Sequence, residues 1–301
     1  MIVVILIILI FYNVCINPLT FFDSILNTLN IWLMKVFPSL FTFYIITSAL
    51  INFKIINKLS FIFFPIKKIF KLNFETSQAF NIFILSMFSG NPSTILFINQ
   101  NLDSNLITLN DANVLLKCAS FISPFFIISF FSFDLKSAYI LIFSHFLSNF
   151  IYLSFLLKNN KTNKIIVNKT NNNVSSIDGF LSSVRDCINI LLMIAAMMCL
   201  CNIIKYSLIN ILEAFHINNN IIKILLSLIE LSTGLNDLTT LNLFKLFFLP
   251  FASFLLGFGG FCIHLQVKNT LNNKLNFSSY FYSRIIQGII SSIITIIIIA
   301  L

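Results

Sequence analysis

Few residues in this chain are of a type that does chemistry, and they gather at three places. The first is Ser89-Gly90-Asn91-Pro92, which interrupts an apolar run from Ala79 to Ile98. The second is Glu230, which ends the apolar run from Ile221 and precedes Ser232, Thr233, Gly234, Asn236 and Asp237. The third is Gly259-Gly260, with His264 and Gln266 just beyond, inside the apolar segment Leu246–Leu265. Paired glycines loosen a helix by about 1 kcal/mol each relative to alanine. Proline bars its own N–H from the helical ladder. Irregular backbone and polar side chains among apolar residues are tolerated where protein or a wet cavity surrounds them, not lipid. These residues therefore read as walls of one buried binding site: Ser89, Gly90, Asn91, Pro92, Glu230, Thr233, Gly259, Gly260, His264 and Gln266. A carboxylate at Glu230 would hold a cation, exchange a proton or accept hydrogen bonds from a polar solute; the alternative is a solvated or lysine-paired interface residue. His264 is either part of that site or a packed histidine. Two residues apart, His264 and Gln266 share a cavity only if the backbone is irregular after Gly260.

Other chemistries lack their patterns. The three histidines, 145, 216 and 264, are too far apart for a metal motif, and no cysteine stands at ligand spacing from them. Gly259-Gly260 lacks the G-x-x-x-x-G-K phosphate loop, and no nucleophile–base arrangement is specified. The reading is therefore of a protein that is not an enzyme and carries no metal or cofactor. The six cysteines form no disulfide framework and read as small packing residues.

The elements that must position these groups follow from composition. Of 301 residues, 58% are hydrophobic and 10% charged, too few charges to cover a soluble domain of this length. The expected class is an all-α polytopic membrane protein whose main partner is the lipid bilayer, multi-pass in the cell membrane. The net charge of +9 lies in lysines between apolar spans, which suits loops facing anionic headgroups rather than nucleic acid.

In order, residues 1–17 read as a retained N-terminal span. A polar interval with Asp23 precedes a span over Leu29–Ile51, which Pro38 kinks or breaks, either for packing or to free carbonyls for a ligand. Asn52–Leu72, with Lys54, Lys58, Lys67, Lys68 and Lys71 about Pro65, reads as a re-entrant hairpin or an interfacial helix. After the broken Ala79–Ile98 segment come two spans, Val114–Phe133, kinked at Ser123-Pro124, and Ala138–Leu157, where His145 is packed or hydrogen-bonded. Residues 158–178 form a polar, basic linker. The second half runs through Phe180–Ile204, Ser207–Ile217, Ile221–Ile229 and the Gly259-Gly260 segment to a last span, Phe281–Leu301.

Two halves, 18–157 and 179–301, read as structural repeats with discontinuous or re-entrant helices, giving about 8–10 membrane segments in all. A shift of 159 residues lays Ser24–Met34 over Ser183–Met193 with five of eleven positions identical, and a shift of 170 lays Phe88, Gly90 and Asn99 over Phe258, Gly260 and Asn269. If both basic loops, 52–75 and 158–169, lie on one side, one segment between them must be re-entrant, and the one broken at Ser89–Pro92 is the choice.

Five stretches, Phe37-Pro38-Ser39-Leu40-Phe41, Ser89–Pro92, Ser123–Ile127, Glu230–Gly234 and Gly259–Gln266, occur in the order found in YlbJ-type sporulation integral membrane proteins of the nucleoside-recognition, or Gate, domain group. The resemblance spans about Phe37 to Arg284. It implies a transporter-type repeat fold acting in spore-envelope formation, and brings no defined substrate. The chain departs from the pattern at Ser93, Thr94 and Ile95, where a second glycine and a basic residue are expected. Taken together, the reading is a transporter-like protein that moves or binds a small polar solute or ion and is expected to form a homo-oligomer. The alternative is a non-transporting structural or assembly protein of the spore envelope.

Overall fold

The computed structural model describes residues 8, 10–12, 14–52, 55, 61–91, 93–158, 176–241 and 245–301. Most of the expected N-terminal span, Pro92, Lys54, Lys58 and linker residues 159–175 lie outside them. Among the described residues all regular structure is helical. Five helices among these residues are long and apolar enough to cross a membrane: Pro18–Ile51, Leu135–Lys158, Ile177–Ala214, Leu246–Thr270 and Phe277–Ala300.

The first is a single rod of two helices, α1 (Pro18–Ile31) and α2 (Phe37–Asn52), joined by a π-turn over Trp32–Val36. The polar interval around Asp23 is thus helical, and Pro38 does not break the rod. The π-turn takes up the irregularity ahead of Pro38: the Phe37 N–H donates to Trp32 O, one residue further back than an α-helix allows. A short helix, α3 (Phe64–Ile69), starts on Pro65, where the ring's missing N–H costs nothing.

Three helix pairs follow with breaks between their members. They are α4 (Ser77–Ser89) with α5 (Ser93–Asp103), α6 (Leu109–Cys118) with α7 (Pro124–Phe130), and, after the long α8 (Leu135–Lys158) and α9 (Ser176–Ala214), α10 (Asn219–Leu226) with α11 (Leu231–Thr239). A fourth pair is α12 (Lys245–Phe258) with α13 (Gly260–Thr270); α14 (Phe277–Ala300) ends the chain. Two expectations change here. Val114–Phe133 is no kinked single span but two helices separated at 119–123, because Ser123 caps the Phe126 N–H and Pro124 opens a new helix. Phe180–Ile204 and Ser207–Ala214 lie on one 39-residue helix, which begins inside the stretch read as linker and stops short of Ile217.

The long helices carry their polar residues inward. On α14, Ser283, Arg284, Gln287, Ser291 and Thr295 are buried while Ile286, Ile289, Ile293 and Ile297 are exposed. A helix in water shows the opposite arrangement; this one suits lipid outside and hydrogen bonds within. Its tightest neighbour is α12, where a Cβ on Gly257 would stand 2.6 Å from Gly288 Cα. Ser253 and Thr295 join the same seam by hydroxyl–hydroxyl bonds of 2.7 Å to Ser291 and 2.8 Å to Ser253.

Candidate functional site

The interrupted helices meet break against break, in two crossings. In the first, Gly90 ends α4 with φ +68° and ψ 177°, a conformation essentially reserved for glycine. A Cβ there would meet Phe121 O at 3.5 Å and Ser123 N at 3.6 Å, in the break between α6 and α7. Freed carbonyls are taken up locally: Ser93 Oγ donates to Gly90 O at 2.7 Å and Ser89 O at 3.0 Å, and Thr94 Oγ1 donates to Gly90 O at 3.1 Å. Ser93 and Thr94 thus close the break. The α6–α7 break depends on other helices. Arg284 on α14 donates to Lys117 O at 2.7 Å and Ser120 O at 2.8 Å. His145 on α8 accepts the Ile122 N–H at Nε2, 2.9 Å.

In the second crossing the backbone serves itself. Gly259 (φ +92°) and Gly260 (φ +77°) turn the chain between α12 and α13. The first N–H groups of α13, those of Phe261 and Cys262, donate to Leu228 O at 2.9 Å and Ile229 O at 2.8 Å, carbonyls left free where α10 stops. Glu230 then caps α11: its carboxylate accepts the Ser232 N–H at 3.0 Å and the Thr233 N–H at 2.6 Å, and the side chain is buried. Both oxygens are therefore occupied by a structural task that the sequence reading did not weigh; Glu230 is buried and forms no ion pair among the described residues.

Between the crossings lies a cavity of about 40 Å³. Its polar wall is Gly90, Asn91, Ser123, Glu230, Ser232 and Gln266, with apolar closure from α2 and α9. It has room for more than one water and is far smaller than a site for an organic ligand. Asn91 Oδ1 is buried with no hydrogen-bond partner among the described residues; Gln266 Nε2 has only Cys262 Sγ, at 3.3 Å.

Of the expected site residues, Gly90, Asn91, Glu230 and Gln266 are brought together here. Ser89 and Asn91 line a smaller adjoining space, and Pro92 lies outside the described residues. Gly259 and Gly260 shape the turn without lining the cavity; their helix contributes Ile263 and Gln266. His264 does not join. Because α13 is regular from Gly260 onward, His264 and Gln266 point apart, and His264 sits among Phe258, Phe281 and Tyr280, with ring centroids 4.6, 5.0 and 5.5 Å away. Thr233 faces a different space.

That space, about 550 Å³, lies between α1, the π-turn, α9 and α11. Lys205 on α9 pairs with Asp237 and reaches Thr233 Oγ1 at 3.3 Å. Lys35 Nζ lies 3.3 Å from Asn236 Oδ1 and 4.4 Å from the centre of the Phe130 ring. Sequence reasoning did not single out Lys35 or Lys205 as site residues, named Ser123 as part of a kink, and named Ser232, Asn236 and Asp237 as the residues following Glu230. Lysines placed singly within apolar helices were the available signal.

Among the described residues no cluster of three His, Cys, Asp or Glu could hold a metal ion. The fold and its buried polar junction define a helical protein of membrane type, built from broken helix pairs around a polar centre. No protein-family model, curated protein or solved structure matches the chain.

Proposed function

We propose that this chain is a membrane carrier, of the Gate or nucleoside-recognition type and related to the YlbJ-like proteins, that binds a small polar solute or ion where its broken helices cross and acts in the cell membrane during spore-envelope formation. The observation that carries this reading is the cavity walled by residues from all four interrupted pairs, Gly90 and Asn91, Ser123, Ser232 and Gln266. Unwound backbone at membrane depth is characteristic of carriers, where it surrounds the transported species. At about 40 Å³ the cavity accommodates an ion or a few waters, so a larger solute requires the crossings to part.

A repeat belongs to the same proposal. Each half offers a long rod, two broken pairs and a second long helix, with α3 as an addition to the first half. This order supports a register in which the break at Gly90 corresponds to that at Glu230, and the break at 119–123 to that at Gly259, rather than Gly90 to Gly260. Counted as segments, the four broken pairs and four unbroken rods make eight, with the N-terminal span additional.

The test is uptake by proteoliposomes reconstituted with the purified chain. Glu230→Gln is expected to stop solute movement while the protein still inserts and runs as a single species, and Gly260→Leu to stop it together with a loss of stability. Full uptake by both mutants rejects the reading. An envelope-assembly protein that kept the fold for packing is the second reading; the buried cap role of Glu230 favours it. It predicts a stable partner complex and no solute-dependent thermal shift.

A further inference from the structure

We propose that the large cavity beside Lys35 is a binding site for a small oxyanion, carboxylate or phosphate, separate from the cavity at the crossings and not dependent on it. Lys35 occupies the middle of the 34-residue rod Pro18–Ile51, about 25 Å of helix from either end. Any hydrocarbon core of about 30 Å that the rod spans therefore contains Lys35. A cation at that depth needs a counter-charge or a wet cavity. Its neighbours among the described residues are both uncharged: the Asn236 side-chain oxygen and the face of Phe130.

The cavity it faces has the volume of a small-molecule site, about 550 Å³. Its charged lining is two lysines and one aspartate, Lys35, Lys205 and Asp237. Lys205 is buried and already paired with Asp237, so one positive charge, that of Lys35, is left over. Asn27 and Asn30 on α1 face the same space and offer amide donors to an oxyanion. The π-turn Trp32–Val36 is what sets Lys35 in place; irregular turns of this kind recur at functional sites. A single uncompensated cation, flanked by neutral donors in a solute-sized cavity, selects a monoanionic or weakly dianionic group over a cation or an apolar ligand.

The chain supplies its own reporter. Trp32, the sole tryptophan, lies on the same π-turn as Lys35. The full-length protein in phosphatidylcholine nanodiscs would be titrated with inorganic phosphate and with succinate at constant ionic strength. Binding is read by Trp32 fluorescence and by equilibrium dialysis of labelled anion. The expected result is saturable binding of at least one of the two at one equivalent per chain. Lys35→Met should weaken it by about tenfold or more, and Lys35→Arg should leave it within about threefold. Asn30→Asp, at an exposed lining position that leaves the packing alone, cancels the surplus charge and should weaken binding comparably; it serves if Lys35→Met fails to assemble. The proposal is overturned if neither anion binds saturably or if Asn30→Asp binds like the parent. A response that appears only in phosphatidylglycerol nanodiscs also overturns it, since the occupant is then a lipid headgroup. None of these outcomes touches uptake through the inner cavity, which is read by Gly260→Leu and Glu230→Gln.

Discussion

The two crossings solve one problem by different means. Each leaves helix-end N–H and C=O groups inside the protein, where an unmade hydrogen bond costs about 1–3 kcal/mol. At the second crossing the exposed ends face each other, and the backbone of α13 bonds directly to the residues after α10. Side chains matter there mostly by being absent, at Gly259 and Gly260, or by capping, at Glu230. At the first crossing no backbone bond joins the two breaks among the described residues. Two side chains from distant helices, Arg284 and His145, fill the need. A crossing closed by backbone tolerates changes of side-chain chemistry but not of bulk. A crossing closed by side chains tolerates bulk better than it tolerates loss of a donor.

The sharpest way to break this contrast is Arg284→Met. It strips donors from a buried and a part-buried carbonyl at once, so a loss of about 2–6 kcal/mol is expected, read as a collapse of the folded fraction on size exclusion in detergent. Retention of parent stability would show that Lys117 O and Ser120 O have other donors. Gly260→Ala comes next. Its positive φ and a Cβ 3.3 Å from Leu228 O and Leu231 N should cost about 1–3 kcal/mol, measured as a fall in melting temperature. An unchanged melting temperature would mean the second crossing has slack. His145→Leu keeps the volume roughly and removes the acceptor for Ile122 N–H, with about 1–2 kcal/mol expected. Combined with Arg284→Lys it should be non-additive, since both serve one break; strict additivity would separate them. The smallest effect is expected from Glu230→Gln, about 1 kcal/mol, because one carbonyl oxygen still caps α11 while the other acceptor is lost. That near-neutral stability makes it the useful uptake variant.

The places where helices stop were largely legible. Ser89–Pro92 and Gly259-Gly260 announce breaks through residue type alone, and both occur. The break at 119–123 was half-read: Ser123-Pro124 is a helix-start signal, an N-cap followed by proline, rather than a kink. The unwound turn before Glu230 has no glycine or proline at all; an apolar run simply gives way to a carboxylate that caps the next helix. Length was misjudged where polar residues sit inside helices. Asp23 lies on α1, and Lys205 divides nothing in α9, because each is carried by a helix whose other positions are apolar.

Partnership was decided elsewhere. Nothing in the spacing of Arg284 or His145 says that they serve carbonyl and amide groups well over a hundred and some twenty residues away respectively. Nor does it say that His264 turns into a ring of aromatics while Gln266 reaches the cavity. The chain alone determined composition, the apolar runs and the conformations only glycine and proline permit, since these are local properties of residues. Which broken end faces which, and so which polar atom is satisfied, follows from how the rods pack, and that is set by contacts between residues far apart in the chain.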